Sequence, residues 1–124
     1  MNYTIHEQDG SKVAVLDDPH AVIADVQTAL DLMAGIGWDP SGPCHKLLLN
    51  QSNLPDAFFE LKTGLAGEIL QKYRTYQFKI AIVGDFEAYS SKSLRDFIYE
   101  CNQGEDVFFK KDREEALAAL HRVP

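Results

Sequence analysis

The stretch Lys79–Gly104, KIAIVGDFEAYSSKSLRDFIYECNQG, decides the fold class. It opens on a short apolar run, Lys79 to Val83. A run of that length reads as a strand buried on both faces, as in a parallel sheet. Gly84-Asp85 breaks the run, since glycine lets the backbone turn sharply. After a polar loop, Leu94, Phe97, Ile98 and Cys101 recur three or four residues apart. That spacing puts them on the inward stripe of a helix over Ser91–Asn102. A buried strand followed by a half-buried helix is the repeating unit of an α/β protein.

The same unit recurs on both sides. Upstream, Lys46–Asn50 is a second apolar run, and Gln51–Pro55 is a loop. Asp56 is placed to cap a short turn holding Phe58 and Phe59, and a helix over Thr63–Tyr73 turns Leu65, Ile69, Leu70 and Tyr73 inward. Downstream, Val107–Phe109 is a short last strand and Asp112–Leu120 a last helix with Ala116, Leu117 and Leu120 inward. Further upstream, Asp17-Asp18-Pro19 is read as opening a helix whose stripe is Val22, Val26, Ala29, Leu30 and Met33 and whose end is Gly35 and Gly37. Gly37–Pro43 is a surface loop whose Trp38 is expected to fold back on the body. Tyr3–Glu7 and Lys12–Leu16 flank Asp9-Gly10, the signal of an antiparallel hairpin. The expected architecture is a single α/β domain over residues 1–124. An N-terminal β-hairpin leads into βαβα units, giving a mixed, mostly parallel sheet of about five strands with flanking helices. Leu48, Ile80, Ile82, Leu94, Phe97 and Ile98 are expected to be buried and packed together.

A length of 124 residues fits one domain, and 45% hydrophobic with 25% charged residues is ordinary for a folded chain. The net charge of -7 repels a phosphate backbone, which argues against nucleic acid as a partner. MNYTIHEQDG has neither the basic nor the apolar region of a secretory signal, and no apolar run approaches the roughly 18 residues that suggest a membrane span. Cys44, on a surface loop, and Cys101, on an inward stripe, are read as reduced thiols. Together these point to a cytoplasmic protein without a membrane partner.

Two strings, LAGEILQKYRTYQFKIAIVGDF and SKSLRDFIYECNQGEDVFF, resemble a bacterial family catalogued as domain of unknown function 4180. The resemblance covers nearly the whole chain, is densest from Leu65 to Phe109, and implies no activity. A looser analogy is to STAS-like domains of the anti-sigma-factor-antagonist type, which share a small β-rich start and alternating strands and helices. Those domains carry a phosphorylatable serine in an Asp-Ser-Ser-Gly-Leu pattern. Here the matching place reads Leu61-Lys62-Thr63-Gly64-Leu65, with Lys62 at the phosphorylated position.

Function is sought where loops leave the carboxyl ends of the strands. The candidate binding residues there are Ser52, Asn53, Asp85, Tyr89, Ser91, Lys92 and Ser93. Ser91 or Ser93 can cap the following helix, and the same free amides can receive an anion with Lys92 adding charge. Neither GxGxxG nor GxxxxGK[ST] occurs. Glu87 is the carboxylate nearest Asp85, and Cys44-His45 has no companions at zinc spacing, so no metal or other cofactor is assigned. The leading reading is a non-enzymatic binding or regulatory module, STAS-like in use, that recognises a protein partner or a small anionic ligand through its βα loops. It also admits a homodimer. The alternative is a small enzyme using Asp85 with Ser90, Ser91 or Ser93 and Lys92, which requires those side chains to converge in a concave pocket.

Overall fold

A computed structural model describes residues 1–124. The strands are β1 (Tyr3–Gln8), β2 (Ser11–Leu16), β3 (Lys46–Asn50), β4 (Lys79–Val83) and β5 (Val107–Lys110), and the helices are α1 (Val26–Gly37), α2 (Leu65–Thr75), α3 (Lys92–Gln103) and α4 (Arg113–Arg122). The sheet runs β1-β2-β3-β4-β5 in sequence order. β1 and β2 are antiparallel and all later neighbours are parallel, with Leu49 opposite Ile82 and Ile82 opposite Phe109. The expected single α/β domain with a five-stranded mixed sheet is the architecture observed.

Alternation along each strand divides the core in two. Ala14, Leu16, Leu47, Leu49, Ile80, Ile82, Val107 and Phe109 face α1, α2 and α3. Val13, Val15, Leu48, Ala81 and Phe108 face the other way and pack on Ala116, Ala119, Leu120 and Val123 of and after α4. Both faces are covered, which is why the strands read as unbroken apolar runs. Leu48 therefore does not pack with Ile80, Ile82 and Leu94, as one shared core required. It belongs to the opposite layer. Phe97 and Ile98 are only half-buried.

Other expectations are corrected by local geometry. Helix α1 does not open near Pro19. It starts at Val26, where the Asp25 side chain accepts the Thr28 amide. Residues before it form a loop with a turn at Pro19-His20, and Val22 is 47% exposed while Ile23 is buried in its place. Gly35 lies inside the last turn of α1, which ends at Gly37. Trp38 does not fold back: it is 89% exposed. Asp56 makes no cap. It begins one of three short 3-10 turns, at Gln51–Asn53, Asp56–Phe59 and Leu61–Thr63. On α4, Ala119 rather than Leu117 is the fully buried partner of Ala116 and Leu120. Cys44 precedes β3 but is buried, as is Cys101, and both are free thiols.

The strand order never reverses, yet one crevice forms at the carboxyl edge. The chain leaves β4 toward α3 on one face, whereas it leaves β5 toward α4 on the other. Adjacent loops that diverge to opposite faces leave a gap between them, as at the switch point of an open α/β sheet.

Candidate functional site

The loop after β4 is held by Gln51, a residue that sequence inspection passed over. Its Nε2 donates to Tyr89 Oη at 2.6 Å, and its Oε1 accepts the Asp85 amide at 3.2 Å. Gly84 makes this possible through size rather than an unusual φ. A Cβ at Gly84 would lie 2.4 Å from Gln51 Oε1 and 2.7 Å from Gln51 Cβ. The Tyr89 ring stacks on Phe59, with centroids 5.3 Å apart and planes at 19°. Phe86 sets its edge on Phe109 at 5.2 Å. Phe58 and Phe59 thus close the carboxyl end of the core and brace the loop above it.

The sequence-derived candidates separate. Asp85 Oδ1 accepts the Glu87 amide at 3.2 Å, which tightens the turn. Ser91 Oγ accepts the Leu94 amide at 3.2 Å and caps α3. Lys92 pairs with Asp96 at 2.6 Å on an open surface, and Ser93 is exposed. Ser52 and Asn53 turn away from Asp85 and Tyr89. Ser52 donates to the Pro19 carbonyl at 3.1 Å. Asn53 is fully buried, donates to the carbonyls of Asp18 and Ala21 at 2.7 and 2.9 Å, and accepts the Asn50 amide at 2.9 Å. The loops after β3 and β4 do adjoin, through Gln51 rather than through Ser52 or Asn53. Near the STAS-like stretch, the Thr63 hydroxyl bonds to the Ala57 and Glu60 carbonyls at 2.6 and 2.8 Å, and Lys62 is exposed.

The crevice between β4 and β5 has a volume of about 520 Å³. Gly84 to Glu87 form one wall and Phe109 with Lys111 the other, while Arg95 and Asn102 come from α3. Asn102 braces β5, accepting the Phe109 amide at 2.8 Å and donating to its carbonyl at 3.2 Å. The chain's ion pairs are Arg74–Asp106, Lys79–Asp106 and Lys92–Asp96. Arg95 and Lys111 line the crevice without a salt-bridge partner, although the carboxylates of Asp85 and Glu87 line it too. No group of three or more His, Cys, Asp or Glu side chains is arranged to hold a metal ion. No helix is long and apolar enough to cross a membrane.

At the opposite, amino edge of the sheet lies an apolar cleft of about 640 Å³. Leu30, Met33, Trp38, Pro43, Tyr76 and Phe78 line it. Periodicity marks Leu30 and Met33 as an inward stripe but not as the wall of a cleft, because the facing walls come from loops.

Residues 8–120 match the model of the family "domain of unknown function (DUF4180)", and the chain belongs to that family. No curated protein and no solved structure matches it.

Proposed function

We propose that the protein is a binding module, regulatory in the STAS-like manner, whose βα loops recognise a small ligand through an anionic group held in the β4–β5 crevice. The observation that carries the reading is the placement of Arg95 and Lys111 in that crevice with no ion-pair partner. An arginine offers a planar fork of donors suited to carboxylate or phosphate, and a lysine adds a point charge. The opposite wall is already organised, since Gln51 and Phe59 fix the loop that carries Asp85 and Tyr89. Recognition there needs little further ordering, which favours affinity. Asp85, Ser91 and Lys92 have internal partners, which favours binding over chemistry at this edge.

The test is an amide chemical-shift titration with inorganic phosphate and, separately, succinate. The expected result is saturable shifts confined to Gly84–Glu87 and Lys111 for at least one probe. Arg95→Gln should then weaken that probe about tenfold or more, the worth of a hydrogen bond to a charged group. Uniform, non-saturating shifts with both probes, or unchanged affinity in Arg95→Gln, would overturn the reading.

A further inference from the structure

The most reactive-looking cluster lies at the edge of the sheet away from that crevice. Four side chains from four elements form one hydrogen-bonded chain. Lys46, at the start of β3, is only 7% exposed, and its Nζ donates to Ser11 Oγ at 2.9 Å and to the Val123 carbonyl at 2.7 Å. Ser11, at the start of β2, lies 2.8 Å from His121 Nδ1 in the last turn of α4. His121 Nε2 in turn lies 2.8 Å from His6 Nδ1 on β1. Ser11, Lys46 and His121 open onto a cavity of about 370 Å³, which Asp9, Pro43 and His45 also line. Pro43 and His45 are shared with the apolar cleft, so an apolar surface adjoins the polar cluster.

The distances fit either direction of the histidine chain, and one of the two leaves the serine hydroxyl ready to react. The Lys46 ammonium can only donate, so Ser11 Oγ accepts from it. In the tautomer that readies Ser11, its proton is directed to His121 Nδ1 and the His121 Nε2–H donates to His6 Nδ1. A latch for a buried ammonium is complete with Ser11 and the Val123 carbonyl. The two imidazoles in series behind the serine exceed that need. They supply what an activated hydroxyl requires: a base within hydrogen-bond reach, and a third group that orients the base.

We propose that Ser11 is a nucleophile toward small carboxylic esters, with His121 as its general base, His6 as the positioning residue behind it, and Lys46 as the cation beside the developing oxyanion. In the first step Ser11 Oγ bonds to the ester carbonyl carbon, its proton passes to His121 Nδ1, and the carbonyl π pair moves to oxygen near Lys46. The tetrahedral species collapses, the C–O bond to the alcohol breaks, and the alcohol leaves with the proton from His121. Water repeats the sequence on the acyl-serine, releasing the carboxylic acid and restoring Ser11. No electron is lost or gained. Burial first, then the nearby His6 and Lys46, hold the His121 imidazolium below its usual range, with Asp9 acting weakly the other way. At neutral pH the ring is thus in the form that accepts a proton.

The test uses the full chain and a fluorophosphonate, followed by peptide mass mapping. One adduct should form on Ser11, at least about tenfold faster than on any other serine. With p-nitrophenyl acetate, a burst approaching one equivalent of nitrophenolate should accompany an acetyl group on Ser11. His121→Gln should slow both by about 100-fold, the lower end of what a general base contributes. In the wild type, the rate should fall as His121 becomes protonated below neutral pH. A wild-type chain that labels on no serine, labels Ser11 no faster than the exposed serines, or carries its acetyl group on Lys46 would overturn the proposal. These wild-type outcomes decide it even where a variant fails to fold.

Discussion

Replacing Asn53 with Ala separates a ligand-binding role from a structural one. Asn53 has no exposed surface and uses its amide three times: two donations, to Asp18 and Ala21, and one acceptance, from Asn50. A net hydrogen bond contributes about 1 kcal/mol, so three of them set a loss near 3 kcal/mol. Two considerations bracket that figure. Asp18, Ala21 and Asn50 are half-buried rather than buried, so water can replace part of what is lost. Against this, the Asn53 bonds hold the loop that seats Ile23 in the core, and that seat loosens when they go. A loss of about 3 kcal/mol is a large part of the roughly 5–15 kcal/mol that holds a domain of this kind together. The assay is urea unfolding followed by far-UV circular dichroism. The midpoint should fall while the denaturant slope stays constant. Asn53→Asp should be worse than isosteric size suggests, because a carboxylate would face the two carbonyls now served by the amide NH₂. A loss under about 1 kcal/mol in Asn53→Ala would refute the assignment of this side chain as a latch.

Other outcomes follow from the same geometry. Ile82→Ala, at a fully buried central-strand position, should cost about 2–5 kcal/mol in the same unfolding assay. Gly84→Ala should displace Gln51, since the added methyl has no room; the Tyr89 ring should lose its stack on Phe59, seen as a change in near-UV circular dichroism. Both cysteines should resist a thiol reagent in the native protein and titrate as two thiols after unfolding, because each is buried and unpaired. For pH, the folded-state pKa of His121 lies below its unfolded value of about 6.5, so its contribution is fully present above that value. Stability should therefore drop as pH falls through about 6.5 toward the folded-state pKa and then level off. Unfolding at pH 7.5 and pH 5.5 should show the drop, and His121→Gln should flatten it.

The fold was legible because it rests on local patterns. Short runs such as Lys-Leu-Leu-Leu-Asn and Lys-Ile-Ala-Ile-Val announce strands buried on both faces, and helical spacing in α2 and α3 announces what covers them. Asp9-Gly10 marked its hairpin because the turn needs positive φ at both residues, 51° and 82°. Two expectations failed for different reasons, one through a long-range contact and one through strand alternation. Val22 fits a helical stripe, but the Asn53 latch holds its segment in a loop and Asp25 starts the helix later. Leu48 fits a common core, but alternation within its strand assigns it to α4.

The sites were less legible than the fold. A serine before a helix is visible as a cap, and Ser91 is one. Gln51 carries no such signal, and its role exists only because the glycine at position 84, remote in sequence, leaves space for its side chain. Arg95 and Lys111 look like ordinary surface cations until the chain leaves neighbouring strands toward opposite faces and opens a crevice between them. Ser11 and His121 are 110 positions apart, and only the packing of α4 against the sheet brings the imidazole to the hydroxyl. Hydrophobic periodicity is a property of neighbours along the chain, so sequence alone determined the order of strands and helices, while the face of the sheet that each helix covers came from the tertiary structure. Which polar groups meet depends on distances between elements, and that only the tertiary structure decided.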